Sequence, residues 1–391
     1  MPLYAVICPV LRIRSPLANT RRTRSPAAKL YSFIGRIRGA MSAENHHGEI
    51  VNVALFGLGR IGRVHLRSLV DQEDVCILYL VDVMPSQGEL RQLVRKHRLA
   101  DTTVLSTEEA DIVFDDPRIH AVFICSPSAF HEETTKKALQ AGKHVFCEKP
   151  LALTNRGVRS CYDIAEKSGK RLLCAFNRRF DPDLTRIYKM KEGGELGRLR
   201  SVNIYSLDKH VPLSYVKTSG GILVDSVIHM LDYVCWFVGE RPQTVYVCGS
   251  NTSAYAEDYQ ACDDHDIANI VLTFPSGVLA NLTAGREVPY GYDQHFQVLG
   301  SKKMAVSKNY RKSEVEVWDA NGSLEDDLLE SFIERWRSSY TRIVQHFIKV
   351  VHGREECGVS AEECLQSLEL VQLCQESLRS GNVIGVPQRK A

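Results

Sequence analysis

The stretch Ile50-Val51-Asn52-Val53-Ala54-Leu55-Phe56-Gly57-Leu58-Gly59-Arg60-Ile61-Gly62 decides the fold of this chain. Its first seven residues form an almost wholly apolar run, which is typical of a buried parallel strand. The run leads directly into a Gly-x-Gly-x-x-Gly turn, and an amphipathic helix begins in that turn. A second apolar run, Val75 to Val81, ends at Asp82, twenty residues beyond the last glycine. This order of elements predicts the first unit of a doubly wound parallel sheet.

The same unit predicts a dinucleotide site. Gly57, Gly59 and Gly62 would let the backbone turn tightly and approach a pyrophosphate, which rests on the helix N-terminus. Asp82 would accept hydrogen bonds from the ribose hydroxyls of the adenosine. No arginine follows Asp82 directly, so the sequence favours NAD over NADP. A glycine turn that only packs a strand on a helix is the alternative interpretation.

Strands and helices continue to alternate as far as residue 175, which predicts an α/β fold with a Rossmann sheet. In such sheets, ligands bind outside the carboxyl ends of the strands. Gly57, Asp82, Ser126 and Lys149 each follow a predicted strand, so we expect them to surround one crevice. The alternative interpretation is that Lys149 is an ordinary loop lysine exposed to solvent, but the position of Lys149 at a strand end favours a functional role.

From Leu199 onward, short strands are separated by turns, with a hairpin predicted at Phe274-Pro275-Ser276-Gly277-Val278. This pattern predicts a C-terminal α+β domain with a large, open, mostly antiparallel sheet. Along Asp266 to Phe274 one face is apolar and the other is partly apolar, so the open face is a plausible interface of a homodimer or homotetramer. The acidic segment Ala256 to Asp266 is predicted to be an exposed loop.

The stretch from Gly220 to Asp232 is the candidate for the chemistry. Its apolar residues recur at helical spacing, and Asp225 and His229 are four residues apart, so they should lie on one helix face. A carboxylate beside a histidine on a rigid element makes a candidate general base with its orienting partner. An ordinary helix whose polar stripe faces water is the alternative.

Composition narrows the class of protein. The chain has 391 residues, 44% of them hydrophobic and 25% charged, as expected of a globular protein with about two domains. A formal net charge of +2 gives no reason to expect nucleic acid as a partner, and no apolar run reaches the length of a membrane span. The 12 cysteines include no Cys-x-x-Cys pair, so we expect buried reduced thiols and no metal site.

The first 43 residues contain eight Arg and Lys, and no acid precedes Glu44. This composition is typical of a mitochondrial transit peptide, although a disordered leader or translation from Met41 explains it equally well. We therefore predict a leader over residues 1–45, an NAD-binding domain over 46–175, and a substrate-binding and oligomerisation domain over 176–391. The predicted location is the cytoplasm, or the mitochondrial matrix if the leader is a transit peptide.

Several motifs, in this order, resemble one known family. They are Gly57-x-Gly59-x-x-Gly62, Glu148-Lys149-Pro150, Asn177-Arg178-Arg179-Phe180-Asp181-Pro182, Asp225-x-x-x-His229-x-x-Asp232 and Tyr290-Gly291-Tyr292-Asp293. Over roughly residues 50 to 385 the chain resembles the glucose–fructose oxidoreductase/inositol dehydrogenase/rhizopine catabolism family. The third and fifth motifs point to its inositol branch. Met230, where many relatives have an acid, and Leu207 to Pro212, which lacks their arginine, depart from the family pattern.

The resemblance implies that NAD oxidises a ring hydroxyl of a small polyol, myo-inositol or a close cyclitol, to a ketone. By the same resemblance, His229 is the general base, Asp225 orients it, and Lys149 stabilises alkoxide character on the reacting oxygen. These three residues and four others would bind the substrate: Arg178, Asp208, Asp232 and Tyr292.

The predicted cofactor-binding set is Gly57, Gly59, Arg60, Ile61, Gly62, Asp82, Ser126, Pro127, His131, Glu148 and Lys149. Two other functions stay open at this point. One is a sugar or dihydrodiol dehydrogenase on the same scaffold, and the other is a non-catalytic NAD-binding sensor.

Overall fold

The structure is a computed structural model, and it describes residues 50–83, 87–97, 99 and 101–388. The predicted leader lies outside these residues. From residue 49 onward the chain forms one compact unit that contains two large sheets. The proposed boundary between residues 175 and 176 therefore stays a prediction.

The first half alternates strands with helices. Its strands are β1 (Val51–Phe56), β2 (Val75–Val81), β3 (Thr103–Leu105), β4 (Ala121–Ile124), β5 (His144–Cys147) and β6 (Leu172–Cys174). Its helices are α1 (Arg60–Val70), α2 (Gln87–His97), α3 (Asp111–Asp115), α4 (His131–Gln140) and α5 (Asn155–Ser168). The six strands are parallel in the order β3-β2-β1-β4-β5-β6, which confirms the predicted doubly wound sheet. The order reverses between β1 and β4, where such sheets bind their ligands.

The second half supplies the other sheet. Its strands are β7 (Leu199–Leu207), β8 (Thr244–Ser250), β9 (Ile267–Thr273), β10 (Leu279–Gly285), β11 (Asp293–Gly300), β12 (Met304–Ser307), β13 (Glu316–Asp319), β14 (Gly322–Glu325) and β15 (Ile384–Gly385). Its helices are α6 (Pro182–Glu192), α7 (Leu213–Ser219), α8 (Ile228–Val238), α9 (Ala256–Ala261), α10 (Phe332–Arg335), α11 (Arg337–Val351) and α12 (Ala361–Ser380). A π-helical turn, Leu223–Val227, precedes α8.

Seven of these strands form one open sheet in the order β12-β11-β7-β10-β9-β8-β15. All neighbours are antiparallel except β7 and β10, which run parallel. The prediction of a mostly antiparallel sheet is therefore confirmed, as is the hairpin that joins β9 to β10. Alternate β9 side chains such as Ile270 and Leu272 are buried, whereas Val271 on the opposite face is 39% exposed.

Aromatic packing joins the two halves. Phe123 and Phe146 stack in the centre of the first sheet, with ring centroids 4.8 Å apart. Phe347 of α11 meets both rings edge to face. All three side chains are fully buried, and each such burial contributes roughly 1.5–3 kcal/mol. The C-terminal helices therefore hold the Rossmann sheet as well as their own sheet.

Helix ends follow their sequence signals. The Asp181 carboxylate accepts hydrogen bonds from the main-chain N–H groups of Asp183 and Leu184, and Pro182 occupies the first helical position, as predicted. Ser360 and Glu363 form the predicted capping box at the start of α12.

One prediction for the second half is wrong. The segment Ala256 to Asp266 is not simply an exposed loop, because it begins with helix α9 and buries Tyr259 and Asp266. The Asp266 carboxylate accepts the main-chain N–H groups of Thr252 and Ser253. Two of its five acids, Asp264 and Asp266, are thus buried hydrogen-bond acceptors, whereas the other three are exposed.

Eleven cysteines lie in the described part of the chain, and all are free thiols. Most are buried as predicted, but Cys76 and Cys248 are exposed. Within the described residues no single helix is long and apolar enough to cross a membrane, and one bent pair, Leu213–Ser219 with Leu223–Val238, reaches that length and composition together.

Candidate active site

The glycine turn after β1 is shaped by close backbone packing on two sides. Gly57 has φ +90°, and a Cβ atom there would lie 2.5 Å from the Cys125 carbonyl oxygen. A Cβ on Gly62 would lie 1.9 Å from the carbonyl oxygen of Gly57. At Gly59, which caps α1, a Cβ would meet nothing within 4 Å. The turn is therefore closed at its two outer glycines and open at the middle one, where a pyrophosphate would approach the helix.

Asp82 lies beside this turn at the end of β2. Its Oδ2 accepts the Leu58 main-chain N–H at 2.5 Å. The carboxylate thus fixes the turn and faces the place that an adenosine ribose would take. Ile61 lies partly buried in the first turn of α1, and the Arg60 guanidinium carbon lies 4.3 Å from the centroid of the Tyr215 ring.

The loop after β4 offers one unpartnered polar group. The Ser126 hydroxyl oxygen is buried and has no hydrogen-bond partner within the described residues, and Pro127 next to it is exposed. His131 behaves differently from the prediction. Its Nε2 bonds the Ser126 carbonyl oxygen at 2.7 Å and its Nδ1 bonds that of Pro150 at 2.8 Å. Since both ring nitrogens are used internally, His131 holds two site loops together and does not itself offer a hydrogen bond to a cofactor.

Glu148 is also engaged in the fold. Its Oε1 lies 2.6 Å from Nε2 of His65, a fully buried residue of α1, and its Oε2 accepts the Lys149 main-chain N–H. Both carboxylate oxygens are thus engaged within the fold, and a cofactor contact of Glu148 stays a prediction. Glu148 ties the end of β5 to the helix that carries the glycine turn, and this fixes the main chain at Lys149.

Lys149 reaches from the first sheet to the second half of the chain. Its Nζ donates to the Asp225 carbonyl oxygen at 2.8 Å and lies 3.4 Å from Asp225 Oδ1. Both side chains are mostly buried, with 13% and 18% of their surface exposed. The two candidate catalytic residues thus meet as predicted, across the boundary between the two halves.

Sequence reasoning missed two further partners of Asp225. The Tyr215 hydroxyl donates to Asp225 Oδ1 at 2.8 Å, and the fully buried Arg286 places Nη2 3.7 Å from Oδ2. Two nitrogens of Arg286, Nε and Nη1, lack a hydrogen-bond partner among the residues described. Arg286 directly follows β10, so its place at a strand end was an available signal. Tyr215 lies on the short helix α7, and no motif marked it.

His229 lies near these groups, but it is not paired with Asp225. Its Nδ1 is buried and forms no hydrogen bond within the described part of the structure. Asp225 lies in the π-helical turn Leu223–Val227, in which the Ile228 N–H bonds the carbonyl oxygen five residues back, and His229 follows in the first turn of α8. Burial, with help from the charges of Lys149 and Arg178, holds the pKa of His229 well below its ordinary value.

Three predicted substrate ligands form one polar wall. Arg178 is buried, donates to Ser206 Oγ at 3.1 Å and to Gln294 Oε1 at 3.3 Å, and has its guanidinium carbon 5.1 Å from the Trp336 ring centroid. The Trp336 indole N–H donates to the Tyr292 hydroxyl at 3.1 Å. Burial and the nearby Asp225 charge raise the pKa of Asp208 to about 6, against the opposing effect of Arg286 and other cations.

Asp232 does not belong to this wall. Its carboxylate forms a two-pronged ion pair with Arg179, at 2.9 Å to Nε and 2.5 Å to Nη2, and both side chains are at least 97% buried. Arg179 also contacts Glu363 of α12 at 2.7 Å. The predicted substrate contact of Asp232 is therefore corrected, because its two oxygens already neutralise a buried guanidinium.

These residues fit a nicotinamide dinucleotide. The open space at Gly59, the acid that follows β2 and the buried Ser126 hydroxyl, which has no partner among the described residues, lie at one edge of the parallel sheet, where Lys149 follows β5. A site of this kind on a Rossmann sheet defines the class of protein as a dinucleotide-dependent oxidoreductase.

Comparison with known proteins supports this class. The family model described as "Oxidoreductase family, NAD-binding Rossmann fold" matches residues 51–176, and the one described as "Oxidoreductase family, C-terminal alpha/beta domain" matches residues 189–386. The chain therefore belongs to the glucose–fructose oxidoreductase/inositol dehydrogenase/rhizopine catabolism family. It is an NAD-dependent oxidoreductase.

Individual relatives cover nearly all of the described chain. A myo-inositol 2-dehydrogenase of Thermotoga maritima is 33% identical over 84% of this chain and 96% of its own length. An inositol 2-dehydrogenase of Rhizobium meliloti is 30% identical over 86% and 99%. The solved structure of a putative myo-inositol dehydrogenase from Sinorhizobium meliloti superposes with a TM-score of 0.80 at 29% identity, covering 86% of this chain and 100% of that one.

Two glycine substitutions should separate folding from cofactor binding. Gly59→Ala places its methyl group in open space, so we expect the free energy of unfolding to change by no more than about 0.5 kcal/mol. The same methyl would obstruct a pyrophosphate, so the dissociation constant for NAD should rise at least about tenfold. Gly62→Ala is the matched control, because its methyl collides with the Gly57 carbonyl and should destabilise the protein. Denaturant unfolding and calorimetric titration measure both effects, and unchanged NAD affinity in Gly59→Ala would contradict the assignment.

Asp232→Asn tests the structural role of the buried ion pair. Removing this charge leaves Arg179 with only the more exposed Glu363 as its counter-charge, which should cost roughly 3 kcal/mol of unfolding free energy. Glu363→Gln, which changes the more exposed partner of the same arginine, should cost clearly less. A variant with full stability and only a raised KM would show instead that Asp232 binds substrate.

Proposed function

We propose that the protein oxidises one ring hydroxyl of myo-inositol, or of a close cyclitol, to the corresponding 2-ketone. The observation that carries the proposal is the contact of Lys149 with Asp225 just after strand β5, with the buried His229 close enough for the Lys149 charge to lower its pKa. The names of two relatives, a myo-inositol 2-dehydrogenase and an inositol 2-dehydrogenase, support the substrate class.

His229 suits the role of general base. When bound, NAD accepts the carbinol hydride at nicotinamide C4, so the hydroxyl proton must leave to a basic group of the protein. Burial and two neighbouring cations lower the pKa of His229, which keeps its imidazole neutral at neutral pH and able to take that proton. In this proposal, Asp225 contributes negative charge near the imidazolium without a direct hydrogen bond.

Lys149 suits the role of an electrostatic stabiliser. Its ammonium group is mostly buried, and Glu148 fixes its main chain from behind. A cation held in this way stabilises negative charge that develops on the substrate oxygen as the proton leaves. Asp225 holds the ammonium group in place through its main-chain carbonyl oxygen. Tyr215 and Arg286 in turn hold the carboxylate of Asp225.

The polar wall suits a polyol. Arg178 offers donors, Asp208 offers acceptors, and Tyr292 offers a hydroxyl, which together match the alternating donor and acceptor capacity of ring hydroxyls. Asp232 is not part of this set. We also propose that the open face of the seven-stranded sheet assembles the chain into a homo-oligomer, since Tyr246, Val271 and Leu279 are exposed on strands of that sheet.

The activity can be tested directly. Purified protein should reduce NAD in the presence of myo-inositol, as followed by NADH absorbance, and turnover should be slower with glucose, xylose or a trans-dihydrodiol. Lys149→Ala and His229→Ala should each lower kcat about 10²–10⁴-fold while leaving the dissociation constant for NAD nearly unchanged. Lys137→Ala, on an exposed part of α4, is the control and should keep full activity.

Two outcomes would contradict these assignments. If either the Lys149 or the His229 variant keeps full activity, that residue does not have the proposed catalytic role. Tight NAD binding without turnover on any polyol or sugar would favour a non-catalytic NAD-binding sensor.

Asp208 should set the acid limb of the pH profile. Its pKa is raised to about 6, so its carboxylate takes up a proton and loses acceptor capacity as the pH falls through about 6. We therefore expect kcat/KM to fall below this pH, whereas the lowered pKa of His229 affects only more acidic conditions. Asp208→Asn should have lower activity and no limb near pH 6. A flat wild-type profile down to pH 5, or the same limb in the variant, would contradict this role.

A further inference from the structure

The hairpin formed by β13 and β14 stands apart from the rest of the fold. Its strands pair only with each other, and an isolated bridge between Arg311 and Leu328 closes its base. Every residue from 314 to 325 is exposed. A single two-stranded hairpin with both faces in water is marginally stable at best. The hairpin therefore lacks the packing that such an element normally requires.

The hairpin also exposes large apolar side chains. Val317 and Leu324 are directly opposite each other in the register and are 57% and 72% exposed. Trp318, on the other face, is 74% exposed, and Val315 is 62% exposed. A group of exposed apolar side chains that lie close together indicates an interaction surface, whereas exposed apolar residues scattered over a protein do not. Aromatic side chains such as that of Trp318 are typical anchors of such surfaces.

The charge of the hairpin indicates what would cover it. Residues 314–325 contain four acids and no Lys or Arg, and Glu316 lies directly opposite Glu325. Like charges in opposed positions of a hairpin repel each other. Arg311 of the same chain pairs with Glu325, whereas the other three acids of the hairpin form no ion pair within the described residues. A partner surface that is both apolar and basic would offset their charge and cover the apolar residues.

The chain carries such a surface itself. Strand β12 is the last strand of the seven-stranded sheet, so one of its edges has no neighbouring strand in that sheet. Met304 and Val306 are 56% and 44% exposed there, and exposed lysines flank them at positions 302, 303 and 308. A groove of about 610 Å³ lies between this strand and the hairpin base. Val306 and Lys308 line it on the strand side, and Glu325, Asp326 and Asp327 line it on the hairpin side.

We propose that the β13–β14 hairpin docks on the β12 edge of a second copy of this chain, and that the second copy returns the same contact. Both complementary surfaces belong to one chain, as a two-fold symmetric interface requires. The hairpin would add a strand to the free edge of the partner sheet, so that main-chain hydrogen bonds, apolar burial and opposite charges act together. This contact is distinct from the open face of the sheet and does not depend on the proposed enzymatic activity.

Charge reversal provides the test. The hairpin variant Glu316→Lys with Asp319→Lys and the edge variant Lys302→Glu with Lys308→Glu should each weaken self-association of the full chain at least tenfold, as measured by sedimentation velocity. An equimolar mixture of the two variants should restore assembly, because each basic hairpin then meets an acidic edge. Circular dichroism checks that both variants are folded.

A neutral substitution tests the apolar part of the contact. Trp318→Ala should weaken self-association at least tenfold, whereas Val383→Ala, which removes another exposed apolar side chain, should leave it unchanged. The proposal is overturned if the wild-type chain is a monomer throughout the accessible concentration range. It is equally overturned if the hairpin variants assemble as the wild type does, or if the mixed variants stay apart.

Discussion

The contact between Lys149 and Asp225 is the interaction on which the site depends. Lys149 ends a strand of the Rossmann sheet, and Asp225 lies in the π turn that leads into helix α8 of the other half. Neither half alone contains the site, since the Rossmann sheet provides the cation and the second half provides the carboxylate and His229. The packing of Phe347 against the centre of the first sheet holds these parts in register.

The partners of the buried charged side chains distinguish those that stabilise the fold from those that remain available to a ligand. Arg179 and Asp232 satisfy each other deep in the core, and Arg335 pairs with Asp181 at 2.9 Å in the same way. The side chains in such pairs have few hydrogen-bonding groups left to bind a ligand. Arg178 and Arg286 are equally buried but have only neutral or more distant partners in the described structure. Within the described residues, Nε and Nη1 of Arg286 have no hydrogen-bond partner and Arg178 bonds only neutral side chains. These guanidinium groups therefore indicate where the fold retains polar capacity for substrate and catalytic groups.

Sequence patterns predicted the first half well and the site in part. The glycine turn, the doubly wound parallel sheet and the placement of Asp82, Ser126 and Lys149 after strand ends depend on local spacing and on strand direction, both of which are visible in the sequence. Side-chain pairing is not visible there, because it depends on which partners the tertiary fold brings close. Asp232 was therefore assigned to the substrate although Arg179 neutralises it, and Tyr215 was missed. The π turn that contains Asp225 was also not visible in the sequence, because the apolar residues of the stretch recur at ordinary helical spacing.

Asp82 links coenzyme choice to the integrity of the glycine turn. The carboxylate that faces the ribose position also accepts the Leu58 N–H at 2.5 Å, so one side chain serves both recognition and local folding. A chain that adapted to a coenzyme with a 2′-phosphate would have to lose this acid, and the Leu58 donor would lose its acceptor. An evolutionary change of coenzyme in this protein therefore requires at least two coordinated substitutions, one for the phosphate and one to restore the turn.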